Sequence, residues 1–239
     1  MSDIVTFACY YINMSELYHA LNRGVDKKKI FLDKQDHLRF IHDLYEFNDE
    51  APASNNCHGF RRMPVKCNDV GRRYIKRSRL VTIHAFCLMP NHYHLLLSPR
   101  VENGIPLFMK KLNGGYAKYF NERYDRKGTL FEGRYKSVPV TAQSHFIHLP
   151  YYIHLNPLDM FDHGWRDRVV HSHADTIKYL ENYRWSSHLD YLGKKNFPSV
   201  TQREFLLEFF GGQEGYAQAL AQWVKDISIN EIHDIILEK

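Results

Sequence analysis

Two short stretches carry residue types that can do chemistry together. In "MPNHYHLLL", residues 89–97, His92 and His94 stand one residue apart where an apolar run begins. On an extended chain both point to one face and Tyr93 to the other. Two imidazoles spaced i and i+2 can share one divalent cation, but a third ligand and open positions are needed before the ion polarises a phosphate. In "PYYIHLNPL", residues 150–158, Tyr152 and Asn156 are spaced i and i+4. On a helix that spacing stacks a phenol and a carboxamide on one face. Tyr151 competes for the role, yet its i+4 partner is Leu155, which offers no polar group. A phenol ionises near pH 10 in water, and a neighbouring cation favours the phenolate, so a tyrosine beside a metal-bound phosphate suits nucleophilic attack. Each stretch also has a plain reading. HxH pairs arise easily in a chain with 15 histidines. Tyr152 is equally an amphipathic-helix residue, and Asn156 a C-cap before a proline.

Two other chemistries are excluded by the residues themselves. A histidine-triad hydrolase requires HxHxH, and Leu96 occupies the third place. A two-histidine phosphodiesterase requires repeated HxT or HxS, which does not follow here.

Charge points to a polyanion. The formal net charge is only +5, but the stretch from Arg61 to Arg79 holds eight Lys or Arg against one Asp. Arg61, Arg62, Arg72, Arg73, Lys76, Arg77 and Arg79 form a local positive field suited to nucleic acid, with a solvated basic loop as the alternative. The four cysteines form no CxxC pair, so neither a disulfide framework nor a cysteine zinc site is expected. No run approaches the roughly 18 apolar residues of a membrane helix, and the N-terminal stretch lacks the basic start of a signal peptide. A cytoplasmic protein with no membrane partner is expected. At 44% hydrophobic residues, the chain has material for a real core.

The elements that must position these residues follow from periodicity. Leu17, His19 and Leu21 alternate with Tyr18, Ala20 and Asn22, which reads as a strand ending at Gly24. Asp33 can cap a helix whose Leu38, Ile41, Leu44 and Tyr45 repeat at helical spacing. Residues 48–79 read as a polar excursion that adds little to the core. "LVTIHAFCLM" (80–89), the turn pair Pro90-Asn91 and "HYHLLLSP" read as a hairpin. Residues 103–124 return to helical spacing, weakened by Gly114 and Gly115. Residues 131–141 read as a strand pushed to a sheet edge by Pro139. A helical region from Ala142 to Asn156 is expected to break near 149, because of Pro150, and to stop at 156. Helical patterns end the chain around 202–210 and 213–227, with Thr201 and Glu204 at capping-box spacing for the first. The order strand–helix–strand–strand–helix–strand predicts an α+β sandwich with helices on one face of a mostly antiparallel sheet.

"FCLMPNHYHLLL" followed by "YIHLNP" resembles the IS200-like Y1 transposases of the HUH endonuclease superfamily. "LYHALNRGVDKKKIF", "LNGGYAKYFNERY", "GTLFEGRYKSV" and "YRWSSHLDYLG" are similar to the branch of REP-associated tyrosine transposases, over roughly residues 15–195. The resemblance implies a ferredoxin-like domain over 1–158, including the basic insertion, and a helical extension over 159–239. It implies a single-stranded DNA endonuclease and strand transferase in which His92, His94 and Asn156 hold Mg²⁺ or Mn²⁺. Tyr152 would be the nucleophile and would form a 5′-phosphotyrosine link. Hairpin DNA would be the target, with Arg134, Lys136 and the basic 61–79 segment on its phosphates. A catalytically silent DNA-binding descendant is the rival reading. Whether the chain works as monomer or homodimer is left undecided by the sequence.

Overall fold

A computed structural model describes residues 16–52, 77–167 and 170–225. Most of the expected basic excursion therefore lies outside the described residues. The elements run β1 (Tyr18–Arg23), α1 (Lys34–Glu46), β2 (Val81–Met89), β3 (His92–Pro99), α2 (Gly104–Arg123), β4 (Lys136–Pro139) and α3 (Gln143–Leu155). After two 3₁₀ turns come α4 (His173–Asn182), α5 (His188–Tyr191), α6 (Glu204–Phe209) and α7 (Gly212–Lys225).

The first six elements form a βαββαβ unit whose four strands lie in the order β2-β3-β1-β4, every neighbouring pair antiparallel. This is the expected α+β, ferredoxin-like sandwich. Alternation along β2 and β3 splits their side chains between two cores. Leu88, Tyr93, Leu95 and Leu97 face α1 and α2 on one side, while Cys87, Met89 and Leu96 face α3 on the other. A register shift between Ile83 and Ala85 lets β2 keep both faces apolar. Helices thus cover both faces, not the single face expected from the sequence. Both faces of the central strands are apolar, and an uncovered one would leave Leu17, Ala85 and Leu96 in water.

Local signals explain most element ends. Asp33 caps α1, its carboxylate accepting from the backbone N–H of Gln35 at 2.8 Å and of Asp36 at 3.1 Å. The buried face of α1 is Phe40, Ile41 and Leu44, whereas Tyr45 is exposed. The helix is rotated from the expected face because Asp36, Arg39 and Asp43 are themselves buried and paired. Pro150 does not break α3, which runs unbroken to Leu155. The backbone bond that proline removes costs about 3 kcal/mol. Complete burial of Leu149, Tyr152, Ile153 and Leu155 outweighs it. The Thr201–Glu204 capping box does not form: Thr201 Oγ1 accepts from Arg203 instead, at 2.8 Å, and Arg203 is the N-cap. Helix α4 is capped by Ser172, whose Oγ accepts from Asp175 N–H at 3.3 Å.

The outer edge of β2 is covered by the segment Trp185–Ser187. Leu88 N–H donates to Trp185 O at 2.9 Å and Ser187 N–H to Phe86 O at 3.0 Å. Gln202 closes the same edge further along, its N–H donating to Ile83 O at 2.9 Å. One apolar cluster runs from Leu17 through α3 to Trp223 and Val224 of α7, so the elements after 158 share a core with the sheet. Among the described residues no helix is long and apolar enough to cross a membrane.

Candidate active site

His92 and His94 lie on the face of β3 that α3 covers, with Tyr93 on the other, as strand alternation requires. Tyr93 donates to Asn113 of α2 at 2.5 Å, and full burial raises its phenol well above the usual range. The two imidazole rings stand edge to face with centres 5.0 Å apart. Tyr152, on α3, brings its ring edge-on to His94 with centres 6.0 Å apart. Tyr152, His94 and Asn156 are all fully buried, and His92 keeps 6% exposure. The structure therefore brings the phenol of one stretch to the histidine pair of the other. Tyr151 points elsewhere: it stacks on Tyr216 with ring centres 5.6 Å apart, and burial raises its phenol.

Residues 65–156 match the model of the family of IS200-like transposases. The matched stretch contains the β2–β3 hairpin, β4 and α3, and with them His92, His94, Tyr152 and Asn156. A solved structure of a REP-associated tyrosine transposase bound to a REP hairpin is similar, with a TM-score of 0.47 and 13% identity. The similarity covers 79% of this chain and 86% of that one. No curated protein matches.

Within this transposase-like core, neighbouring groups fix the candidate ligands. Asn91 Nδ2 donates to Lys27 O at 3.2 Å, so its Oδ1 is the acceptor that faces His92 Nδ1 at 2.6 Å. That places the proton on His92 Nδ1 and the lone pair on Nε2, the form that binds metal. His94 Nδ1 meets His19 Nε2 at 2.9 Å, and the two rings stack. His19 also sits edge-on to Tyr152, with ring centres 6.4 Å apart. The donor set fits a hard divalent cation in part. Two imidazole nitrogens share one face, and the Asn156 carboxamide has a second lone pair beyond the one it uses. Among the described residues no three His, Cys, Asp or Glu side chains are placed to hold one metal ion, so a third ligand here would be an amide, water or the substrate.

Asn156 is held at both ends: Nδ2 donates to Tyr152 O at 2.9 Å, and Oδ1 accepts from Arg166 Nη2 at 2.9 Å. Arg166 Nη1 also donates to Tyr152 Oη at 2.9 Å. Asp159 grips the same guanidinium, with 2.8 Å from Nε to Oδ1 and from Nη2 to Oδ2. Trp165 donates to Asp159 at 2.6 Å. Arg166, Asp159, His19 and Asn91 were not singled out by the sequence. A histidine at a core-facing position of β1 was a usable signal for His19; Arg166 stands in a stretch with no periodicity.

An open cavity of about 470 Å³ lies beside His92 and reaches Asp159. Arg23, Lys27 and Lys29 line it. Lys27 and the preceding Asp26 both have positive φ, near 55°. Of the residues expected on DNA, Arg134 and Lys136 are exposed, and Arg134 lines a second groove with Lys110. Arg77 pairs with Asp49 at 3.2 Å and lies 3.9 Å over the Tyr45 ring of α1. Arg79 is half-buried. Arg61, Arg62, Arg72, Arg73 and Lys76 lie outside the described residues.

Proposed function

We propose that the chain cleaves and rejoins single-stranded DNA beside a hairpin, using Tyr152 as nucleophile. His92, His94 and Asn156 hold Mg²⁺ or Mn²⁺, and residues 1–158 form the catalytic unit with 159–239 as its helical extension. The observation that carries the reading is the Tyr152 ring, edge-on with its centre 6.0 Å from that of His94. The family match over 65–156 supports the same reaction class.

In the reaction, Tyr152 Oη forms a bond to phosphorus and the P–O3′ bond breaks, its electron pair leaving on O3′. The phenol gives its proton to water, O3′ takes one from water, and a 5′-phosphotyrosine link remains. A bound divalent cation supplies charge neutralisation at the scissile phosphate. Asn91 holds His92 in the coordinating tautomer, and His19 orients His94. Arg23, Lys27 and Lys29 line the cavity through which the strand reaches the site, while Arg134, Lys136 and the basic 61–79 segment contact its flanks. Because the link stores the phosphodiester, a second 3′-OH can displace the tyrosine without ATP.

One observation favours the rival reading, a catalytically silent DNA-binding protein: Tyr152 has no exposed surface. A single experiment separates the two. The protein is mixed with a labelled hairpin oligonucleotide carrying a single-stranded flank and Mn²⁺, and denaturing gels are searched for a covalent adduct. The catalytic reading expects an adduct that Tyr152→Phe abolishes, with oligonucleotide binding retained. Loss of the adduct in Tyr151→Phe but not in Tyr152→Phe would overturn the assignment. Binding without any adduct establishes the silent alternative.

A further inference from the structure

We infer that Arg166 is a catalytic residue of this reaction, stabilising negative charge on the Tyr152 oxygen in both cleavage and rejoining. The inference rests on the reading of Tyr152 as nucleophile. A structural ion pair with Asp159 needs only Nε and one terminal nitrogen, and those two contacts are already made at 2.8 Å each. The remaining terminal nitrogen, Nη1, is spent on Tyr152 Oη at 2.9 Å. Nη2 additionally reaches Asn156 Oδ1. The fork therefore ties together the two residues of α3 that the chemistry requires.

The guanidinium is itself fixed. Its carbon lies 4.8 Å from the centre of the buried Trp165 ring and 5.4 Å from that of Tyr152. With 28% of its side chain exposed, it joins the enclosed phenol to the surface. A donor held in place before reaction stabilises charge without reorganising. Tyr152 starts as a neutral phenol and ends as a neutral phosphate ester oxygen. Between these ends Oη has lost its proton and not completed its bond to phosphorus, so it carries negative charge. In rejoining it is the leaving oxygen and passes through the same condition. Arg166 keeps its protons throughout. A donor that acts only between two neutral end states must speed both directions equally and leave their equilibrium unchanged.

The test uses the full chain, a synthetic hairpin oligonucleotide with a single-stranded flank, and saturating Mn²⁺. Single-turnover adduct formation, adduct reversal by an added 3′-OH strand, the adduct plateau, oligonucleotide affinity and the melting midpoint are measured. Arg166→Met is expected to slow formation and reversal alike by about 100-fold, the usual loss for one such donor. Plateau and affinity stay within about threefold, because neither depends on charge that exists only in passage. Arg166→Lys, which keeps a cationic donor but loses the planar fork, regains about tenfold of that loss and stays about tenfold slower than the unaltered protein. Should Arg166→Met fail to fold, Arg166→Lys and Asp159→Asn decide, each expected to slow both directions by a common factor. Rates within threefold of the unaltered protein in these variants overturn the inference, as do faster rates, unequal slowing of the two directions, or a rate loss matched by lost affinity. An unaltered protein that forms no adduct overturns the parent reading and this inference together. An adduct formed equally fast without Arg166 overturns this inference alone.

Discussion

At the proposed metal site, Asn91 would act on the ion without touching it. Its amide is oriented by the Lys27 carbonyl, and through that orientation it decides which nitrogen of His92 carries the proton. Asn91→Leu removes both bonds and frees the imidazole to adopt the other tautomer. The Mn²⁺ concentration for half-maximal adduct formation should then rise about 10–100-fold, the usual cost of losing such a partner. An unchanged half-saturation point would show that His92 is oriented by something else. At this scale the sequence was readable where partners are near neighbours. His92 with His94 and Tyr152 with Asn156 follow from periods of two and four residues. Arg166 reaches Tyr152 from 14 positions away, and His19 reaches His94 from 75. No local spacing encodes those meetings.

Helix α2 separates two adjacent glycines that look alike in the sequence. A Cβ on Gly114 would meet nothing within 4 Å, so Gly114→Ala should stabilise the protein by up to about 1 kcal/mol through helix propensity. A Cβ on Gly115 would lie 2.3 Å from the Phe47 ring, which is buried at the end of α1. Gly115→Ala should therefore destabilise by about 1–3 kcal/mol, as overpacking does. Urea midpoints of the two variants should move in opposite directions, and equal shifts would contradict the close packing of α1 on α2. The same distinction explains what was legible among the elements. The β1, β2, β3 and α2 periods are strong and their elements appear where expected. Continuity of α3 through Pro150 was hidden, because it depends on burial against β2 and the C-terminal helices, not on the helix's own residues. Helix α4 was missed for the reverse reason: only Thr176 and Leu180 are buried, too few to show a pattern.

Across the whole molecule, buried neutral histidines tie α3 to the C-terminal helices. His154 Nε2 meets Ser187 Oγ at 2.7 Å, and Tyr216 OH bridges His154 and His188 at 2.8 Å each. Burial, then His188, holds His154 well below the usual range; burial, then Lys194, pushes His188 down to about 3. Burial likewise pushes His84 down to about 4, against a weaker opposing effect from the Gln202 segment. A histidine depressed in the folded state binds its proton more readily once unfolded. Its stability contribution is complete above pH 6.5 and falls as pH drops towards about 4 for His84 and about 3 for His188. The loss at His84 alone amounts to about 3 kcal/mol by pH 4. The melting midpoint should decline clearly between pH 7 and 4.5, before the depressed carboxylates Asp33 and Asp162 titrate. A flat midpoint over that interval would mean that these imidazoles gain solvent without unfolding. The strap along β2 has its own consequence for assembly. Any second copy seeking to lengthen the sheet there meets backbone groups already claimed by Trp185, Ser187 and Gln202. The opposite margin, β4, is four residues long and ends in Pro139, a poor template for strand addition. Two copies of this chain can thus fuse into one continuous sheet across β2 only by first displacing that strap.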